Sequence, residues 1–202
     1  MTTVPSQLSL FPADPSPELP DGLTYREDYI TGSGADGLLA AVDASEWLTD
    51  LKRRVQHYGY RYDYKARQAR REDHIGPLPD FLNGVAIRLG REGVFSKPPD
   101  QVIVNEYLPG QGIAGHIDCR PCFGETIAIL SLGSACVMRF EHHPSSRTVD
   151  LALQPLSLLT LSGEARHEWT HAIPARKSDI IDGKKHPRSR RVSLTFRTMR
   201  FV

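Results

Sequence analysis

QVIVNEYL (101–108), TIAILSL (126–132), ACVMRFEH (135–142), RTVDLALQ (147–154), LSLLTLS (156–162), EWTHAI (168–173) and RRVSLTFRTM (190–199) are seven short runs rich in β-branched and aromatic residues, parted by turn residues. Such runs predict a β-sandwich or jelly roll over residues 101–202. Upstream the texture is helical. GADGLLAAVDASEWLTDLKRR (34–54) reads as one short helix with room for a second, capped by Asp43 or Ser45. GPLPDFLNGVAIRLGREGVF (76–95) sets Phe81, Leu82, Val85, Ile87 and Leu89 at helical spacing. Helices first and strands after predict an α+β domain in which the helices of 21–100 buttress one sheet. Residues 1–20, with Pro5, Pro12, Pro15, Pro17 and Pro20, read as a flexible arm.

The chain has 202 residues, 40% of them hydrophobic and 24% charged, which fits one globular domain. No apolar stretch approaches the roughly 18–20 residues of a spanning helix. The opening MTTVPSQ has neither the basic lead nor the hydrophobic run of a secretory signal. Three cysteines make no disulfide framework, and the expectation is a cytoplasmic monomer with reduced thiols and no membrane contact.

Net charge is +1, but it is unevenly spread. Residues 1–50 hold nine acids and one base, whereas 52–71 hold eight bases against Asp63, and 176–200 hold nine bases against two acids. Basic blocks are either solvated faces or the footprint of a polyanion. In HYGYRYDYKAR (57–67), Tyr58, Tyr60, Tyr62 and Tyr64 interleave with Arg61, Lys65 and Arg67. The tyrosines can share one face of a strand, stack on nucleobases, or do both.

The chemistry-bearing residues lie in the strand-rich part. GHID places His116 and Asp118 two apart, so an extended chain turns both to one side. His142, His143, His167 and His171 can supply a third ligand, and His171 fits best because a later strand can return beside the first. Two imidazoles and one carboxylate make the facial triad of non-haem Fe(II) oxygenases. RRVSLTFR sets Arg191, Ser193, Thr195 and Arg197 on one strand face and Val192, Leu194 and Phe196 on the other. A guanidinium fork suits a carboxylate, so a dicarboxylate is its natural occupant. Strand rise separates Arg191 and Arg197 by about 20 Å. Arg191 is therefore assigned to the clamp, and Arg197 leans toward the metal or serves another contact.

NEYLPGQGIAGHID, LSLGS, WTHAIP and RRVSLTFR together resemble the AlkB family of Fe(II) and 2-oxoglutarate-dependent dioxygenases, over about residues 55–202. The matching pattern is His116, Asp118, His171, Arg191 and Arg197, with Asn105 and Tyr107 where the family contacts 2-oxoglutarate. Ser193 joins them on the cosubstrate strand. The resemblance implies a double-stranded β-helix, Fe(II), 2-oxoglutarate and dioxygen as reactants, and an N-terminal lid that recognises nucleotides. It also implies oxidation of a C–H bond, with succinate formed and, for an N-alkyl group, an aldehyde released. The base must be single-stranded or flipped out of the duplex.

Substrate contacts are expected from Tyr60, Arg61, Tyr62 and Tyr64, with Trp169 either walling the pocket or filling core. Arg120 stands two positions beyond Asp118, where repair members of the family often carry an acid. That departure and the lid look closer to the tRNA wobble-uridine hydroxylase branch and its bacterial relatives. Cys119 and Cys122 form CRPC, read as reduced thiols, since zinc needs two more ligands. QLSLF, with Gln7, Leu8, Leu10 and Phe11, looks like the pentapeptide that docks bacterial repair proteins on the sliding clamp, or else packs on its own domain. It tilts the expectation toward repair of alkylated or etheno-bridged DNA bases. The alternatives are a tRNA base hydroxylase or RNA demethylase, and a non-catalytic nucleic-acid or clamp-binding module.

Overall fold

The computed structural model describes residues 18–49 and 51–201. In chain order its elements are β1 (Leu23–Arg26), α1 (Gly32–Asp43), β2 (Val55–Tyr58), α2 (Asp80–Arg91), β3 (Gln101–Tyr107), β4 (Ile113–His116), β5 (Phe123–Gly133) and β6 (Cys136–His142). They continue with β7 (Thr148–Leu153), β8 (Leu158–Leu161), α3 (Gly163–His167), β9 (Trp169–Ile173), β10 (Ser178–Ile181), β11 (Lys184–Pro187) and β12 (Arg191–Met199). The QLSLF segment lies outside the described residues.

Each of the seven runs forms a strand. With β1, β2 and β4 they assemble into a six-stranded sheet in the order β1-β8-β5-β12-β3-β2 and a four-stranded sheet in the order β4-β9-β6-β7, and β10-β11 form a separate hairpin. This is the jelly roll of a double-stranded β-helix. The pleat divides each central strand between two cores. Ile127, Ile129, Leu159 and Leu161 turn inward to meet Met138, Phe140, Val149 and Ile173 of the smaller sheet. Val102, Val104, Ala128, Leu130, Val192, Leu194 and Phe196 turn outward under Leu38 and Val42 of α1 and Leu82, Ala86 and Leu89 of α2. Both faces of the larger sheet are therefore covered, which is why its strands read as nearly continuous apolar runs.

The helices before residue 100 cover one sheet as expected, but the same region also supplies strands. β1 pairs with β8 and β2 with β3, so two upstream strands extend the large sheet. α1 is capped by Thr31, whose side chain accepts from the Gly34 N–H, rather than by Asp43 or Ser45. Among the described residues no second helix follows it before β2. No helix among them is long and apolar enough to cross a membrane.

The four tyrosines do not share a strand face, because β2 ends at Tyr58. Gly59 turns with φ +76°, and a Cβ there would run into the Asp100 carbonyl oxygen. Tyr58 then packs edge-on against Phe81 under α2, while Tyr60 and Tyr62 cross to the inner core. Gly59→Ala is expected to destabilise the protein by more than about 1 kcal/mol, from strain and clash together. Urea unfolding midpoints of the two proteins measure it.

Candidate active site

β4 is the edge strand of the smaller sheet, and its register with β9 assembles the site. Gly112 lies so close to the Ile173 carbonyl that a side chain at 112 would collide with it, so β4 can approach β9 only through glycine. The ladder then pairs Ile113 with Ile173 and His116 with His171. The two imidazole centroids lie 4.4 Å apart, and Asp118 closes the third corner just past the strand. One ligand atom from each of His116, Asp118 and His171 lies within 4.8 Å of the others.

Hydrogen bonds orient these ligands. The Nδ1 of His116 lies 2.9 Å from the Ala114 carbonyl, which can only accept, so Nδ1 carries the proton and Nε2 keeps its lone pair. Arg197 donates from Nε to Asp118 Oδ2 at 2.8 Å and from Nη1 to Gln101 Oε1 at 3.2 Å. Asp118 Oδ1 faces His116 Nε2 at 3.4 Å. Burial alone would raise the Asp118 pKa, but Arg197, His116 and His171 outweigh it and hold the carboxyl well below the usual range. Burial first, and His116 next, push His171 down to about 3, so it presents the neutral imidazole a metal needs. Arg197 thus leans to the metal side of its strand, one of the two courses that the strand rise left open.

The residues expected to contact the cosubstrate lie on the same inner face. β12 pairs Arg191 with Tyr107, Ser193 with Asn105 and Arg197 with Gln101 across β3, and Ser193 with Ser131 across β5. Arg191 is 2% exposed, and its Nη2 donates to Ser131 Oγ at 3.1 Å. Its Nε and Nη1 are buried without partners among the described residues. A buried cation with two unmet donors is complementary to a carboxylate. Asn105 Oδ1 accepts from Arg53 Nε at 2.9 Å, which leaves the Asn105 amide N–H groups for a ligand. Donor set and orphaned guanidinium therefore fit Fe(II) and 2-oxoglutarate. Bound there, this pair with dioxygen would supply C–H oxidation, and His116, Asp118 and His171 are the residues that would hold the metal and Arg191 the one that would hold the far carboxylate.

A cavity of about 440 Å³ opens over the triad, walled by Tyr107, Ser193, Thr195 and Arg197 and roofed by Tyr62 and Tyr64, with Arg53 and Arg67 among its lining. Tyr60 does not line it; it packs against His74 and Phe201. Arg61 is exposed and outside the lining. Arg120 is exposed too, and its Nη2 donates to the His167 carbonyl instead of entering the pocket. Trp169 fills core at 2% exposure, stacked on His142 with centroids 4.9 Å apart. His142 itself lies near Glu164 and Glu168, away from the triad. Cys119 and Cys122 are joined in a disulfide, a correction to the expected reduced thiols; their spacing of three brings the Cα atoms to 5.3 Å in the turn.

His57 ties together the segment that carries Tyr62 and Tyr64. Its Nδ1 accepts from the Tyr62 N–H at 3.1 Å, so Nε2 carries the proton and faces the Tyr64 hydroxyl at 3.3 Å. Burial first, then Arg197 and Arg61, push its pKa down to about 4. Unfolded, His57 titrates near 6.5, so between pH 6.5 and 4 the unfolded chain binds the extra proton. Its contribution to stability is complete above pH 6.5 and is lost as pH falls toward 4. The drop in unfolding free energy from pH 7 to pH 4.5 is expected to be smaller in His57→Asn than in the parent protein, as read by urea titration at each pH.

Residues 41–197 match the model of the 2OG-Fe(II) oxygenase superfamily. The chain is 39% identical to the alkylated DNA repair protein ALKBH8 homolog of Arabidopsis thaliana, covering 89% of this chain and 58% of that protein. It is 35% identical to the tRNA (carboxymethyluridine(34)-5-O)-methyltransferase alkbh8 of Xenopus tropicalis, covering 92% of this chain and 33% of the relative. The chain thus spans between a third and three fifths of these two proteins. Its backbone superposes on the solved structure of OsALKBH1 with a TM-score of 0.67 at 17% identity, over 91% of this chain and all of that one. A jelly roll that brings two histidines and an aspartate together beside an unpaired buried arginine, and a sequence match over most of its length, place this chain among the Fe(II)/2-oxoglutarate-dependent dioxygenases of the AlkB family.

Proposed function

We propose that the chain oxidises a C–H bond on a modified base of a nucleic acid, delivered to the triad from a single strand or a flipped-out position. The observation that carries this reading is the roof of the cavity, where Tyr62 and Tyr64 stand edge to face at 5.2 Å over the ligand set with Arg67 beside them. Aromatic faces accept a base by stacking, and guanidinium groups accept its phosphate. A shallower groove shares Arg67 with the cavity and is lined by Arg70, Arg71, Arg200 and Phe201, which suits the flanking backbone.

Two substrates fit. A modified tRNA base is favoured by the similarity to the Xenopus relative, whose name specifies a tRNA uridine. An alkylated DNA base is favoured by QLSLF and by the name of the Arabidopsis relative. Succinate release, measured with iron and 2-oxoglutarate over methylated DNA, etheno DNA and hypomodified tRNA, decides between them. The tRNA reading expects release with tRNA alone, and formaldehyde from methylated DNA supports repair. Substrate-independent succinate of equal size in all arms would refute the proposal, with His116→Ala as the blank.

A further inference from the structure

α3 delivers one side chain that the site as described leaves unused. Arg166 is 2% exposed, and among the described residues no carboxylate pairs with it. Its Nη1 donates to the Asp118 carbonyl at 3.0 Å and its Nη2 to the Cys119 carbonyl at 3.4 Å, while its Nε is buried without a partner. A buried guanidinium satisfied only by two main-chain oxygens is costly, so what it holds is the question.

What it holds is the metal-bearing loop. β4 makes its last ladder pair at His116, so Asp118 and Cys119 lie beyond the ladder; the Cys119 carbonyl also accepts from the Phe123 N–H at 3.1 Å, whereas the Asp118 carbonyl accepts from Arg166. Arg166 belongs to the segment that leads, five residues later, into His171 on β9. One side chain therefore ties the segment carrying the aspartate to the segment carrying the distal histidine. Arg197 fixes the Asp118 carboxylate from the opposite end, through Oδ2. Aim of the carboxylate is then set twice, once at the side chain and once at the main chain.

We infer that Arg166 is a positioning residue of the metal centre, holding the loop after β4 in register with β9 so that Asp118 meets His116 and His171. Its role is exerted through Asp118 and needs no nucleic acid, so its test stands apart from the choice of substrate.

The test compares the full chain with Arg166→Met, which keeps length and removes the donors, Arg166→Lys, which keeps one charged donor, and Val42→Ala, a core truncation under α1 remote from the triad. Mn(II) affinity is titrated by electron paramagnetic resonance, and thermal melting is recorded without metal. Arg166→Met is expected to weaken Mn(II) binding about tenfold or more, the scale of changes to groups that orient metal ligands. Arg166→Lys should fall between it and the parent chain, and Val42→Ala should melt lower with its affinity unchanged. Parent-like Mn(II) affinity in folded Arg166→Met overturns the inference, whatever its melting temperature. If that variant fails to fold, Arg166→Lys decides instead, with weaker binding supporting the role and parent-like binding overturning it.

Discussion

Asp118→Ala is expected to lower 2-oxoglutarate turnover by more than about 100-fold, because changing a group that merely orients a metal ligand already costs 10–100-fold. The same substitution should destabilise the metal-free protein. Arg197 donates its Nε–H to Asp118 at 2.8 Å in a buried setting, and Gln101 is its other polar partner. Removing one member of a buried pair strands the other, at about 3–5 kcal/mol. The paired measurements are succinate formation at saturating iron and urea unfolding in a chelator. Turnover that survives in Asp118→Ala would remove this carboxylate from the site. Lost turnover with unchanged stability would mean that the Arg197 contact contributes nothing to the fold.

Arg191→Met carries the opposite signature. Truncating one partner of a buried charge pair costs about 2–5 kcal/mol of binding, so the apparent KM for 2-oxoglutarate should rise by about 30-fold or more. Without cosubstrate, however, the parent chain buries a guanidinium with two unmet donors, and methionine relieves that cost. The metal-free variant is therefore expected to melt no lower than the parent, while the rise in melting temperature that 2-oxoglutarate confers on the parent should vanish. An unchanged KM would shift the clamp from Arg191 to another residue on the inner face. Arg53, already bonded to Asn105, would be the next to examine.

These two effects differ in sign because the two arginines of one strand face have different partners. Arg197 is paired with Asp118, whereas two guanidinium nitrogens of Arg191 have no partner among the described residues. Their shared face was legible in RRVSLTFR, since the pleat turns alternate residues to one side whatever the rest of the chain does. Which arginine found a protein partner depended on a contact with Asp118, 79 residues away.

The same division runs through the molecule. Strand positions, the convergence of His116 with Asp118 and the choice of His171 follow from local periodicity and the spacing of a few letters. The lid did not follow, because Gly59 broke a pattern that period two alone would have continued, and its left-handed turn is set against Asp100. His57 and Arg166 went unread, and Arg120 and Trp169 stayed open, for one reason. Each is defined by a neighbour distant in sequence or by a packing partner, and an isolated letter among bases or aromatics carries no trace of it. Alternation therefore determined which face of each strand is buried, because backbone geometry repeats every two residues. Only the tertiary structure decided which buried polar groups are satisfied and which are left without a partner among the described residues, because hydrogen bonds close between segments whose separation the chain order does not encode.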